Sequence, residues 1–155
     1  MKFSILLVVL PFVESAQTLY KLYSKREYNW SELSLFQNTN YHDAFWLADM
    51  GGTGDIFYFE GSSLVKYDKS KTSKKISAHI VGTPPTEAYF LFADSEQHDF
   101  SETIEIFHVV EIDGVGYLEV RGQQDFLECN GGFIYTIPEL KNCDPTQIQA
   151  RVYKE

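Results

Sequence analysis

The segment FHVVEIDGVGYLEV, residues 107–120, decides the fold class of this chain. It contains two runs rich in β-branched and aromatic side chains, Phe107–Ile112 and Tyr117–Val120, a composition typical of strands. Asp113 and Gly114 lie between these runs, and both residue types tolerate the positive φ angles of a tight turn. The segment therefore predicts an antiparallel β-hairpin.

The same pattern continues in both directions, because short runs rich in Tyr, Phe, Val and Ile alternate with clusters of Gly, Asp, Asn and Ser. Further strands are predicted at Thr18–Tyr23, Ala44–Ala48, Asp55–Glu60, Ser63–Tyr67, Lys75–Ile80, Tyr89–Ala93, Phe126–Glu128, Phe133–Ile137 and Gln147–Tyr153. Ser31–Phe36 is the best candidate for a helical turn, and no segment keeps a helical period for three turns. A spacing of about 8–12 residues favours a sandwich or barrel. We expect an all-β fold, an antiparallel β-sandwich, with a small β-barrel as the alternative.

Residues 1–16, MKFSILLVVLPFVESA, have the order of features of a secretory signal peptide. A lysine precedes the apolar stretch Phe3–Val13, and Ser15 and Ala16 are small enough for cleavage after either one. The apolar stretch of about 11 residues is well short of the roughly 20 that cross a bilayer as a helix. We therefore expect a signal peptide at 1–16, no membrane span, and a single all-β secreted domain at 17–155.

The composition limits the functional classes. Hydrophobic residues make up 44% of the chain and aromatic residues 15%, which excludes disorder of the whole chain. The net charge of −9 argues against nucleic acid as a partner, because affinity for phosphates requires cationic side chains. The lysine-rich run Lys66–Lys75 is interpreted as a solvated hairpin tip, with a patch for an anionic polymer as the alternative.

Two kinds of covalent modification follow from the expected secretion. Cys129 and Cys143 are the only cysteines, so an oxidising compartment predicts one disulfide between them, near the C-terminus. Their spacing fits neither a CxxC redox pair nor a zinc site. Asn29-Trp30-Ser31 is an acceptor sequon, and Asn29 is either glycosylated on an exposed loop or left unused because of the bulky central Trp30.

The sequence contains no motif that assigns an enzyme. The histidines are scattered, no nucleophile elbow or phosphate-binding glycine loop is present, and we predict no metal site and no cofactor. A pair of acidic residues able to hydrolyse a glycoside is the least favoured interpretation, because it rests only on the abundance of carboxylates. Most aromatic residues are expected in the core, and Trp30 and Trp46 are the candidates for a sugar-binding surface.

The C-terminal part resembles a known family. Gly116–Cys129, GYLEVRGQQDFLEC, is similar to the G-Y-L-x-y-x-G-x-x-x-F-x-x-C stretch of secreted yeast cell-wall mannoproteins. A tyrosine-containing strand, here Ile134–Thr136, and a second cysteine leading into an alternating strand, here Cys143–Ala150, complete the motif. The resemblance implies an all-β domain of the fungal cell wall with paired cysteines and no catalytic activity. Members often end in a Ser/Thr-rich stalk and a glycolipid-anchor signal; this chain shows neither, so we expect a soluble or noncovalently retained member.

These observations lead to three functional hypotheses. The first is a non-enzymatic, secreted cell-wall or cell-surface protein that contributes to wall structure or surface properties. The second is an extracellular binding module for wall polysaccharide or a small apolar ligand. The third, less favoured, is a glycoside hydrolase with an acidic pair. The expected partners are cell-wall polysaccharide or other wall proteins, and the expected location is extracellular or in the wall.

Overall fold

The computed structural model describes most of the expected domain, while the predicted signal peptide at 1–16 lies outside the described residues. The described residues are 17–26, 28–38, 44–70, 74–83, 87–94, 107–129, 132–136 and 141–155. The regular structure within these ranges is β throughout, and it contains no helix. The strands, in chain order, are β1 (Leu19–Arg26), β2 (Asn29–Glu32), β3 (Ser34–Gln37), β4 (Ala44–Ala48), β5 (Ile56–Glu60), β6 (Ser63–Lys66), β7 (Ile76–Thr83), β8 (Glu87–Asp94), β9 (Phe107–Ile112), β10 (Val115–Val120), β11 (Phe126–Cys129), β12 (Phe133–Tyr135), β13 (Cys143–Thr146) and β14 (Ile148–Tyr153).

The strands form one continuous antiparallel sheet. Its hydrogen-bonded path runs β13-β11-β12-β4-β8-β7-β6-β5-β1-β14-β10-β9, with β2 added beside β1 and β3 beside β4. Both ends of this path return to its middle. The backbone N–H of Lys25 in β1 donates to Oγ1 of Thr146 in β13 at 3.1 Å, and the N–H of Phe107 in β9 donates to the carbonyl of Ser62 before β6 at 2.9 Å. The sheet is therefore curled into a half-barrel.

Phenylalanine rings fill the space inside the curl. Phe90 lies near their centre, with its ring centroid 5.5 Å from that of Phe92, 5.6 Å from that of Phe107 and 6.2 Å from that of Phe126. Phe57 continues the cluster at 5.4 Å from Phe92. All five side chains are buried, and strands far apart along the path supply them. Burial of these large rings contributes favourably to the free energy of folding.

The predicted all-β antiparallel class is confirmed, and so is the hairpin that predicted it. Ile112 lies opposite Val115, and the turn residues Asp113 and Gly114 have φ angles of 52° and 77°. The sequence analysis expected a sandwich, with a barrel as the alternative. The structure has one continuous 14-stranded sheet curled into a half-barrel, and this sheet encloses the core.

The predicted disulfide is also confirmed. Cys129 in β11 and Cys143 in β13 are bonded, and they lie directly opposite each other in the strand register with their Cα atoms 4.1 Å apart. The bond attaches β13, the strand at one end of the path, to its neighbour. The disulfide stabilises β13, an end strand whose ladder hydrogen bonds go to β11.

The sequence analysis did not predict the strands β2, β3 and β13, and the helical turn that it expected is wrong. Ser31–Phe36 does not form a helical turn: it contains the end of β2 and the start of β3, joined at Leu33. Leu33 is fully buried, and its N–H donates to the carbonyl of Leu22 at 2.8 Å, so tertiary burial decides the local conformation. The strand β13 was missed because it carries Pro145 in its short span, a residue depleted in strands but tolerated at a sheet edge.

Candidate binding face

The outward side of β2, β1, β14 and β10 carries an organised group of aromatic and polar side chains. Alternation along each strand explains the grouping, because Leu22, Ile148 and Ala150 point into the core while their neighbours in sequence point out. We define the aromatic face as Tyr23, Trp30, Tyr117 and Tyr153 together with Lys21, Glu32, Gln149 and Arg151. The register places Tyr23 between Glu32 on one side and Gln149 on the other.

Glu32 is the acidic centre of this face. One of its carboxylate oxygens accepts hydrogen bonds from Nζ of Lys21 at 2.7 Å and from the N–H of Gly54 at 2.8 Å. The other accepts from the hydroxyl of Tyr23 at 3.0 Å. Hydrogen bonds to a charged acceptor are stronger than neutral ones, so these contacts hold the carboxylate in one orientation.

The same contacts shift the ionisation of all three groups. The hydrogen bond from Lys21 is the largest cause that lowers the pKa of Glu32, and it also raises the pKa of Lys21. Burial, followed by the hydrogen bond to Glu32, raises the pKa of Tyr23. At neutral pH the face therefore holds a carboxylate, an ammonium group and a neutral phenol in fixed positions.

Position 54, whose N–H donates to Glu32, requires glycine. A Cβ atom at this position would lie 2.7 Å from the carbonyl oxygen of Leu33 and 2.8 Å from Cβ of Glu32, both closer than real Cβ contacts. Gly54 is buried, and the N–H of the next residue, Asp55, donates to the same Leu33 carbonyl at 3.1 Å. The close approach of this loop is therefore part of the geometry that positions Glu32.

Arg151 links the aromatic rings to the polar side chains. Its guanidinium carbon lies 4.1 Å from the ring centroid of Tyr23 and 5.8 Å from that of Trp30. Its Nε and Nη2 donate to Oε1 of Gln149 at 3.0 and 2.7 Å, and Nε2 of Gln149 donates to the hydroxyl of Tyr117 at 3.4 Å. Gln149 is only 7% exposed, so the surrounding side chains fix its amide plane.

This arrangement suits a ligand that offers both apolar and hydrogen-bonding surfaces. Aromatic rings contribute apolar contact area, and the amide, phenol, guanidinium and carboxylate groups supply donors and acceptors already held in place. Preorganised groups lose little conformational entropy on binding. The face follows four neighbouring strands and is a surface of the sheet, which fits an extended ligand better than an enclosed small molecule.

The structure places Trp30 on this face and the other candidate residues at its margin or apart from it. Asn29 is exposed at the start of β2, next to Tyr28, whose side chain is 95% exposed. Trp30 is half-buried on the face itself. Trp46 is half-buried on β4, where its ring centroid lies 6.1 Å from that of Phe133, so it belongs to a separate aromatic cluster.

Two surface grooves lie within the part of the chain that the structure describes. One is lined by Lys66, Tyr67 and Asp68 among others, and the other by Gln124 and Asp125 among others. Among the residues that the structure describes, each groove is lined by one carboxylate.

Histidines do not gather at a common site within the described ranges. Nε2 of His108 lies 2.7 Å from a carboxylate oxygen of Glu119, and Nε2 of His79 lies 3.2 Å from the hydroxyl of Ser77. In the described part of the chain, no group of three or more His, Cys, Asp or Glu side chains is placed to hold a metal ion. The remaining histidines lie outside the described residues.

No family model, curated protein or solved structure matches this chain. The resemblance to cell-wall mannoproteins therefore stays a prediction. The described residues also include no helix long and apolar enough to cross a membrane.

The sequence analysis selected Trp30 but missed the polar part of the face. The alternation in Ile148–Tyr153 was a usable signal, because it places Gln149, Arg151 and Tyr153 on the side opposite to Ile148 and Ala150. No local signal identifies the partners on the other strands. Glu32 lies in a segment interpreted as a helical turn, and its pairing with β1 depends on tertiary structure.

Proposed function

We propose that this protein is a non-enzymatic extracellular wall or surface protein that binds cell-wall polysaccharide through the aromatic face. One observation carries the proposal: the half-buried rings of Trp30 and Tyr23 lie beside Arg151, whose donors are fixed by the buried amide of Gln149. A pyranose ring has apolar C–H faces and a rim of hydroxyl groups. The aromatic face offers matching surfaces for both.

Geometry favours a polymer over a single sugar. A single sugar needs an enclosed pocket to bury most of its surface, whereas a flat surface gains affinity by contacting several units of a chain. The face extends across β2, β1, β14 and β10, a direction in which neighbouring strands are about 4.8 Å apart. The aromatic face therefore has room for more than one sugar unit.

The binding experiment compares polysaccharides and variants. The purified protein is sedimented with insoluble β-glucan, chitin and mannan, and the bound fraction is measured against protein concentration. Trp30→Ala is expected to weaken binding about tenfold, which corresponds to about 1.4 kcal/mol. Phe36→Ala is the matched control, because this partly exposed ring lies on β3 and contacts Phe133 rather than any residue of the aromatic face.

Two results would contradict the proposal that the aromatic face binds polysaccharide. The first is the absence of binding to all three polysaccharides. The second is binding that Trp30→Ala and Phe36→Ala weaken equally, because the aromatic face would then have no special role. Circular dichroism of each variant separates loss of the face from loss of the fold.

The extracellular location has its own test. The native protein is measured in cytosol, culture medium and washed wall, and its N-terminus is sequenced. The proposal expects recovery outside the cytosol, with the chain starting after Ser15 or Ala16. Recovery in the cytosol with residues 1–16 intact contradicts it.

A further inference from the structure

One end of the half-barrel opens into a groove that the proposed function does not use. Phe45 is the second residue of β4, Lys66 the last of β6 and Ile76 the first of β7, and all three line this groove. Ile76 lies opposite Asp94, the last residue of β8. We define the mouth groove as the space of about 600 Å³ between Phe45, Lys66, Tyr67, Asp68, Lys69, Lys74 and Ile76.

The floor of the mouth groove is apolar. Phe45 and Ile76 are half-buried and pack against the core on their inner sides. Lys66 lies opposite the buried Phe57 in the strand register, so the stem of this lysine follows the inward side of the sheet as the chain leaves it. Small-molecule sites commonly lie in the mouths of β-barrels, with apolar walls and a few polar groups.

The rim of the mouth groove is cationic. Lys69 and Lys74 have side chains 82% and 59% exposed, and each makes a long ion pair, at 3.5 Å to Glu155 and 3.8 Å to Asp94. The Lys69–Glu155 pair is exposed on both sides and contributes little free energy, so a bound anion can replace it. The carboxylate of Asp94 is buried, but an ammonium group has three donors, so Lys74 can keep this partner and still contact an anion. Lys66 is held more closely, at 3.1 Å from Asp55, and serves as part of the wall.

Asp68 is the one carboxylate among the described residues that line the groove, against three lysines. Oδ1 of Asp68 accepts hydrogen bonds from the N–H and the hydroxyl of Ser70 at 2.8 and 2.7 Å. This turn holds that oxygen towards Ser70, while the carboxylate keeps its negative charge. The lining residues therefore carry three positive charges and one negative charge, and Lys69 and Lys74 hold the exposed positive charges at the rim.

We propose that the mouth groove binds an anionic amphiphile, with the apolar body of the ligand on Phe45, Ile76 and Tyr67 and its anionic head between Lys69 and Lys74. A solvated hairpin tip alone would explain lysines in this segment. It does not explain why they surround an apolar floor at the open end of the core. Lysine acts as a point charge, so the groove accepts a carboxylate or a phosphate monoester head alike.

The experiment titrates the purified full chain with 1-anilinonaphthalene-8-sulfonate, an apolar ring system with one anionic group, and follows its fluorescence. Decanoate and decyl phosphate are the competitors that share the proposed chemistry. Inorganic phosphate has the charge without the apolar body, and pentaethylene glycol monodecyl ether has the chain without the charge. The double variant Lys69→Gln/Lys74→Gln removes both ammonium groups, and Lys25→Gln/Lys141→Gln is the charge-matched control at exposed sites elsewhere.

The proposal expects one probe per chain, displacement by decanoate and decyl phosphate only, and about tenfold weaker binding in the Lys69/Lys74 variant. The control variant should bind as the unmodified chain does. Backbone amide shifts in NMR spectra should change at Phe45, Tyr67 and Ile76.

Four results overturn it. They are absence of probe binding, equal affinity in the two double variants, shifts confined to other residues, and displacement by inorganic phosphate as effective as that by decanoate. Trp30→Ala should leave probe binding unchanged. The experiment therefore tests the mouth groove independently of polysaccharide binding by the aromatic face.

Discussion

The guanidinium carbon of Arg151 in β14 lies 4.1 Å from the ring centroid of Tyr23 in β1, and these two strands pair with each other. Tyr23 is directly opposite Gln149, so Arg151 reaches it diagonally while its Nε and Nη2 atoms bond to Gln149 on its own strand. Diagonal cross-strand pairs lie within reach of long side chains. This contact therefore couples the stability of β1 and β14 to the geometry of the aromatic face.

A double-mutant cycle measures that coupling. We expect Arg151→Leu and Tyr23→Leu to be coupled by about 0.5–1 kcal/mol, because the guanidinium–ring contact is lost in either single variant. Urea denaturation of the four proteins gives the free energies of unfolding. Arg151→Leu combined with Tyr67→Leu is the control cycle, and it should be additive, because Tyr67 lines the mouth groove on another part of the sheet. Equal coupling in both cycles would contradict a specific contact.

Glu32 makes stability depend on pH. Its pKa in the folded state is lowered from 4.5, chiefly by the hydrogen bond from Lys21, so its contribution is present above the unfolded pKa and is lost as pH falls through the folded value. Glu32→Gln should therefore reduce the free energy of unfolding by about 1 kcal/mol at pH 7, with little difference from the unmodified chain well below pH 4.5.

The control for this prediction is Glu60→Gln. Glu60 forms an exposed ion pair with Lys75, which should contribute much less. Denaturant titrations at several pH values measure both variants. A constant difference between Glu32→Gln and the unmodified chain at every pH would show that lost packing, rather than ionisation, causes the effect.

Two glycines of one loop make a matched pair for testing the close approach at Gly54. Gly54→Ala places Cβ 2.7 Å from the Leu33 carbonyl oxygen, a backbone atom that cannot move alone, whereas Gly52→Ala meets nothing within 4 Å. We expect Gly54→Ala to lower the free energy of unfolding by about 1–3 kcal/mol and Gly52→Ala to change it by less than about 0.5 kcal/mol. Thermal and urea denaturation measure the difference. Equal stability of the two variants would mean that the loop can move away from Glu32 at no cost.

Much of the fold was accessible from the sequence because strand signals are local. Phe107–Ile112 and Ala44–Ala48 have the predicted bounds in the structure, and turn-forming or polar residues follow each of them. The segments Asn29–Glu32 and Ser34–Gln37 were not recognised as strands. Both are short, and they become strands by pairing with β1 and β4.

The curl and the aromatic face were less accessible for a different reason. The contact between Thr146 and Lys25, which brings one end of the path back to its middle, joins residues with no relation in sequence pattern. Likewise, no sequence pattern around Glu32 predicts that Lys21 and Gly54 are its hydrogen-bond partners. Local patterns predict which side chains share a face of one strand, and register then decides which faces meet.

The disulfide joins β13, an end strand of the sheet, to β11, the neighbour with which it pairs over four residues. Cys129 and Cys143 close a loop with a sequence separation of 14, for which chain entropy gives a stabilisation of about 3 kcal/mol. Cys129→Ser/Cys143→Ser should lower the free energy of unfolding by about that amount. The unmodified chain in reducing agent should show a similar loss.

The position of β13 predicts where the effect appears first. Its end residue, Thr146, holds the contact to Lys25 of β1, so loosening β13 should increase hydrogen exchange at Lys25 more than at Phe90 in the core. Mass spectrometry of exchanged peptides measures this difference. Uniform acceleration across all peptides would mean that the disulfide stabilises the fold as a whole and does not specifically hold this edge in place.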